Sequence, residues 1–215
     1  MYTIKRNETA SFDVDAQKGF TPICPDELPV NEGDQIAPYL NRNAKLASIR
    51  VGSKDAHPVN AVWNVTEDSP ILSKVEGDYR NVDIHWNQHC VSGTKGCELL
   101  DTLPHPQDYD FFVWKGVEPD MHPYGACYHD LQNKMSTGVI EFLKAKGIKN
   151  VIVGGLATDF CVYNTVMQLN DAGFKVYLTV DACRGIDDIN TDGCLRDMFD
   201  NGVVLVYNED KIISE

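Results

Sequence analysis

The chain has 215 residues, 43% apolar and 24% charged, and 32 acidic side chains against 19 lysines and arginines give a formal net charge of −13. That length suits one domain with a sizeable core, and the composition is that of a globular protein with no membrane-spanning run. The acidic balance argues against a nucleic-acid partner, because phosphate binding calls for a basic surface. The opening residues, MYTIKRNETA, contain no apolar signal core. The seven cysteines are odd in number and none are spaced C-x-x-C, so free thiols in a reducing, cytoplasmic compartment are expected, with no membrane partner.

Thr9–Val14 (TASFDV) reads as the first buried strand and runs into Asp13-Val14-Asp15-Ala16-Gln17. Alternation places Asp13 and Asp15 on the same side, so spacing does not choose between them. Phe20 follows on the loop, and Cys24–Val30 is loop-like with two prolines. Gly33–Ala47 has Ile36, Leu40, Ala44 and Ala47 on one helical face, with Pro38 in its first turns where proline is tolerated. Ala47–Gly52 reads as the second strand and leads into Ser53-Lys54-Asp55-Ala56-His57-Pro58.

Residues 59 to 100 lack strong periodicity but contain Trp63, His85, Trp86, His89 and Cys90. An irregular segment of that length inside a compact domain is commonly functional. Asp110–Trp114 is the third strand and ends at Lys115-Gly116. Ser136–Lys146 is an amphipathic helix closed by Gly147. Val151–Val162 (VIVGGLATDFCV) reads as strand, tight turn and helix start, with Val162, Val166 and Leu169 continuing the helical spacing. Lys175–Asp181 is a further strand, a helix lies near Thr191–Phe199, and Val203–Tyr207 is the last strand. This alternation predicts one α/β domain over residues 1–215, a three-layer α/β/α arrangement with a mostly parallel central sheet. Such sheets often self-associate through apolar outer helices, so a homo-oligomer is an expectation without a fixed number.

In a parallel sheet the polar residues that end separate strands lie along one edge. Asp15, Asp55 with His57, Lys115, and Asp159 with Cys161 therefore converge. Cys161 falls in a first helical turn, where free N–H groups favour an anion. The plainest reading of that cysteine alone is a buried structural thiol. With Asp15 and Lys115 at the same edge it becomes a nucleophile beside a proton carrier and a cation. Asp159 is expected to face solvent or cap the helix, because a nearby carboxylate opposes thiolate formation. Asp55 and His57, together with His89 or His85, make a mononuclear site for zinc, iron or manganese. Phe20, Trp86 and Tyr124 lie on loops, where aromatics can sandwich a flat ring. A thiol-and-metal sensor is the competing reading, and it would need a second cysteine placed to resolve an oxidised Cys161.

These stretches match a known pattern over nearly the whole chain. Asp15-Ala16-Gln17, Asp55-Ala56-His57-Pro58, Trp86-Asn87-Gln88-His89-Cys90, Lys115-Gly116, Gly155 to Val162 and Asp181-Ala182-Cys183-Arg184-Gly185 occur in order. In these the chain resembles the nicotinamidases of the isochorismatase-like cysteine hydrolases. The resemblance implies a triad of Cys161, Asp15 and Lys115, and so chooses Asp15 over Asp13. It implies a divalent metal, zinc, iron or manganese, held by Asp55, His57 and His89. It also implies a cis peptide between Leu156 and Ala157, with the N–H groups of Ala157 and Cys161 forming an oxyanion hole. The implied activity is hydrolysis of nicotinamide, and of pyrazinamide, within NAD salvage, with the ring among Phe20, Trp86 and Tyr124. One departure is visible. Many relatives carry an Asp-Ser-Tyr-Ser-like run after the lysine, and here it reads His122-Pro123-Tyr124-Gly125-Ala126. Tyr124 keeps its place while the pocket wall on either side differs.

Overall fold

The computed structural model describes residues 1–207 and 211–215. Its strands are β1 (Tyr2–Ile4), β2 (Thr9–Val14), β3 (Ile49–Asp55), β4 (Phe111–Lys115), β5 (Asn150–Leu156), β6 (Lys175–Arg184), β7 (Val204–Val206) and β8 (Ile212–Ser214). The helices are α1 (Ala37–Leu46), α2 (Val139–Ala145), α3 (Tyr163–Asp171) and α4 (Asp188–Asp200). Six strands form one sheet in the order β4-β3-β2-β5-β6-β7, and every neighbouring pair is parallel. β1 and β8 pair separately, also parallel.

The strand alternation explains the layers. On β2, Ala10, Phe12 and Val14 turn to one face and join Val151, Val153, Val176 and Leu178. Leu143 of α2, Val166 and Leu169 of α3, and Met198 of α4 pack on that face. The opposite face receives Ala37 and Leu40 of α1, which meet Leu156 and Ala182. The sheet is thus covered on both sides, which explains why its strands are near-continuous apolar runs. Among the described residues, no helix is long and apolar enough to cross a membrane.

Several boundaries depart from the periodicity for local reasons. α2 begins at Val139 and not at Ser136, because Ser136 Oγ accepts the Gly138 N–H and Gly138 sits at φ +87°. α4 begins earlier than predicted, since the Asp187 side chain caps it by accepting the Asn190 N–H at 2.8 Å. β3 extends to Asp55 because Ser53, Lys54 and Asp55 pair with Val113, Trp114 and Lys115. The irregular residues between β3 and β4 build a small core of their own around Trp63, with Val75, Val82 and Trp86.

The strand order reverses direction between β2 and β5. β2 is followed by β3 and β4 on one side, while β5 is followed by β6 and β7 on the other. In open parallel sheets this switch leaves a crevice at the carboxyl ends of the two central strands. Asp15 follows β2 and Cys161 follows β5, so both lie beside it. β5 also approaches β2 closely. Gly155 has φ +145°, and a Cβ there would overlap the Val14 carbonyl oxygen, so glycine is needed at that position.

Candidate active site

Asp15 lies one residue beyond β2, where the backbone leaves the extended region for φ +43°. Short polar residues tolerate this left-handed conformation. The turn breaks the alternation and separates two aspartates that a regular strand would keep together. Ser53 Oγ donates to Asp15 Oδ1 at 2.7 Å. Asp13 instead accepts from Arg50 Nε (2.9 Å), Arg50 Nη2 (2.6 Å) and Tyr109 Oη (2.9 Å). Its carboxylate is committed to that pairing.

Lys115, the last residue of β4, is completely buried. Its Nζ lies 3.0 Å from Asp15 Oδ2 and 2.5 Å from Asp55 Oδ1. It also donates to the Pro123 carbonyl at 3.1 Å and to Cys161 Sγ at 3.6 Å. Cys161 sits in a π-helical turn, Thr158–Val162, that precedes α3. Such turns recur at functional sites. The Leu156–Ala157 peptide before the turn is cis, as the resemblance implies.

The charges in this group are unequal. Burial by itself would raise Asp55, but the Lys115 ammonium and His57 override it and hold that carboxyl below its ordinary range. Burial raises Asp15 against the opposing Lys115 charge. Burial also pushes the Cys161 thiol well up; Lys115 works against this, and the Asp15 and Asp55 carboxylates add to it. Lys115 stays firmly protonated, because the two carboxylates outweigh its own desolvation. One lysine therefore compensates Asp55 most strongly, while Asp15 and Cys161, both raised by burial, lie close enough for their polar atoms to share the same pocket.

A narrow cleft opens beside Cys161, lined by Phe20, Trp86, Tyr124, Ala157 and Phe160 among others. Trp86 Nε1 donates to Tyr124 Oη at 3.2 Å, and Tyr124 Oη donates to Asp83 Oδ1 at 2.8 Å. Phe160 meets Trp86 edge-on with ring centroids 4.9 Å apart. Trp86, Tyr124 and Phe160 thus brace one another around a slot that Phe20 also lines and that has a thiol on its wall.

Next to the cleft, His57, His89 and His122 present ring nitrogens that all lie within 4.8 Å of one another. His89 arrives there because residues 90–92 pair with His57: its N–H donates to the Cys90 carbonyl, and its carbonyl accepts the Ser92 N–H. The His57 Nδ1 faces the Gly116 carbonyl at 2.9 Å. A carbonyl can only accept, so Nδ1 carries a proton and Nε2 is the nitrogen left for another partner. That Nε2 is buried and has no hydrogen-bond partner among the described residues. The His89 Nδ1 is likewise engaged by the Asn87 carbonyl at 2.6 Å. Burial, the largest influence, pushes His89 down to about 3, so its imidazole is neutral. Imidazoles oriented in this way, each by a carbonyl on one nitrogen, suit a divalent metal on the other.

Residues 9–210 match the isochorismatase domain model. The chain belongs to the isochorismatase family. It is 34% identical over 185 residues to the nicotinamidase of Acinetobacter baylyi, an alignment covering 84% of this chain and 83% of that one. Among solved structures it resembles PnC1 from L. infantum in complex with nicotinate, at TM-score 0.80 and 28% identity, covering 99% of this chain and 98% of that one. It also resembles the pyrazinamidase of Pyrococcus horikoshii in complex with zinc, at TM-score 0.74 and 30% identity, covering 93% and 99%.

This isochorismatase-family site brings Asp15, Lys115 and Cys161 together, and it gathers Phe20, Trp86 and Tyr124 around one cleft. Other expectations need correction. Asp159 neither faces solvent nor caps the helix. It is buried, and its carboxylate accepts the N–H groups of Ile186 and Asp187, both at 3.0 Å. His85 is not in the cluster; its Nδ1 is taken by the Trp63 and Asn64 carbonyls. Asp55 lies where the expectation put it, beside His57, with Oδ1 on Lys115 and Oδ2 3.5 Å from His57 Nε2. Beside His57 and His89 the structure places His122, which the sequence had marked only as a change in the pocket wall. The signal was a histidine seven residues past Lys115, but nothing in the spacing pointed it inward. Two contacts do so: the Asn81 carbonyl accepts the His122 N–H at 2.7 Å, and Lys115 holds the Pro123 carbonyl.

Proposed function

We propose that this chain hydrolyses nicotinamide to nicotinic acid and ammonia through a thioester on Cys161, and that it accepts pyrazinamide, which keeps the amide and a ring nitrogen. The observation behind this reading is the buried Lys115 ammonium, which touches both Asp15 and Cys161 at the wall of an aromatic cleft. The nicotinamidase relative and the nicotinate-bound neighbour support the substrate class.

The Cys161 proton passes to Asp15 as sulfur attacks the amide carbon, which the Asp15–Cys161 proximity and the raised Asp15 favour. The N–H groups of Ala157 and Cys161 receive the developing oxyanion, and one such donor is typically worth about 10²–10³ in rate. Asp15 then protonates the departing nitrogen as the carbon–nitrogen bond breaks, leaving ammonia and a thioester. In the second half Asp15 takes a proton from water, which attacks the thioester carbon, and the thiol is released with the acid. Lys115 keeps its charge throughout and holds Asp15 in register. Phe20, Trp86 and Tyr124 fix the plane of the ring.

Asp55, His57 and His89 would hold one divalent metal ion, zinc or iron. When bound, the ion supplies a fixed positive charge that anchors and polarises the pyridine nitrogen. The zinc-bound neighbour supports a divalent ion at this position. We read residues 1–215 as one catalytic domain working in a reducing cytoplasm and feeding NAD salvage. The seven free cysteines suit that setting.

The test is ammonia release from nicotinamide by the metal-loaded protein and by Cys161→Ala. The wild type turns over and the variant does not, with melting temperatures alike. Turnover surviving in the alanine variant sinks the covalent mechanism. An inactive wild type that hydrolyses linear ureido amides moves the chain to another substrate class.

A further inference from the structure

His122 is only 4% exposed, yet neither of its ring nitrogens has a hydrogen-bond partner among the described residues. Leaving a buried polar group unmatched is destabilising, and here two are left on one ring. Such a side chain is retained where something pairs with it. Among the described residues its neighbours are aromatic rings and not hydrogen-bond partners. Its ring stacks on His57, with centroids 5.1 Å apart and planes 16° from parallel, and meets Trp63 edge-on at 4.5 Å. What it does face is the pair of histidines: His57, His89 and His122 each place a nitrogen within 4.8 Å of the others.

Asp55, by contrast, is only partly available to an ion at this position. Its Oδ1 is bound to Lys115, and that ammonium draws on the charge of the whole carboxylate. A metal resting on His57 and His89 would therefore find a weakened carboxylate and, beside it, an imidazole with no hydrogen-bond partner among the described residues.

We propose that His122 is the third imidazole ligand of the metal centre, so that the ion is held by His57, His89 and His122, with Asp55 shared between it and Lys115. This rests on the metal-centre reading above and extends it to a residue outside the expected set. The chemistry follows from the donors. Three imidazole nitrogens and a carboxylate shared with Lys115 form a borderline-soft set, which selects zinc or iron over magnesium or calcium. The segment that carries His122 also carries Pro123 and Tyr124, so metal binding is coupled to the placement of the cleft's aromatic wall.

The test compares wild type, His122→Phe, His122→Asn and His89→Ala, each stripped with chelator and titrated with zinc(II) and cobalt(II). Both His122 variants are expected to lose about 100-fold in affinity, at the upper end of what even indirect partners of a metal ligand cost. X-ray absorption of the zinc-loaded protein should count three imidazoles in wild type and two in His122→Asn. Stripped His122→Phe should melt no lower than stripped wild type, because the substitution removes two unmatched polar atoms, while its zinc-induced rise in melting temperature shrinks. Unchanged affinity and imidazole count in both His122 variants, with binding lost in His89→Ala, overturns the role of His122 and leaves the metal-centre reading standing. Failure of stripped wild type to take up either metal overturns both.

Discussion

Replacing Lys115 with methionine tests the electrostatic frame of the site directly. The side chain is similar in length and apolar, so the cavity stays filled while the charge is removed. In the wild type the ammonium neutralises Asp55 and contacts Asp15, both fully buried, and it satisfies the Pro123 carbonyl. Removing one partner of a buried ion pair costs about 3–5 kcal/mol, because the remaining charge is left uncompensated. Lys115→Met should lose that much at pH 8. The loss has a specific pH dependence. With Lys115 present, Asp55 is held below its ordinary value, so its contribution to stability exists above about pH 4 and disappears only as pH falls below that. Without Lys115, burial dominates and the folded-state value rises above the unfolded one. The folded variant then binds a proton that its unfolded chain does not, and its stability falls as pH rises through that window. The deficit relative to wild type should therefore shrink on acidification from pH 8 to 5.5, by up to about 1.4 kcal/mol for each pH unit over which Asp55 stays protonated in the fold. Urea unfolding of the two metal-stripped proteins at both pH values measures this. A variant as stable as wild type at pH 8, or one with the same deficit at both pH values, refutes the reasoning.

Two further substitutions probe separate parts of the site. Asp15→Asn removes the proton carrier while keeping the shape and an acceptor for Ser53, so kcat for nicotinamide should fall about 10²–10⁴-fold; steady-state ammonia release within tenfold of wild type would contradict the role given to Asp15. Gly116→Ala places a Cβ on a residue with φ +63°, against the His57 ring and 2.6 Å from its Nδ1. Its carbonyl also orients that ring, so zinc affinity measured by competition with a chromophoric chelator should drop by about 10–100-fold, and an unchanged affinity would mean that Gly116 does not position His57.

Hydropathy patterning along the chain is enough to set the layers and the edge on which the polar strand ends gather. Apolar runs at Thr9–Val14 and Val151–Val153, separated by amphipathic stretches, admit few arrangements other than a covered parallel sheet, and a parallel sheet sends Asp15, Asp55, Lys115 and Cys161 to one end. What it left open depended on contacts between distant segments. Asp13 and Asp15 are equivalent by alternation. They part because Arg50 and Tyr109 take one and a left-handed turn at the other breaks the strand. β1 and β8 were invisible, since three-residue strands that pair Tyr2 with Ile212 leave no local pattern. Asp159 became an internal brace for Ile186 and Asp187 only once β6 and its following loop were folded over it. His122 shows the same limit most clearly. Its inward position depends on Asn81 and Lys115 gripping its segment from two sides, and one-dimensional spacing holds no record of such long-range hydrogen bonds.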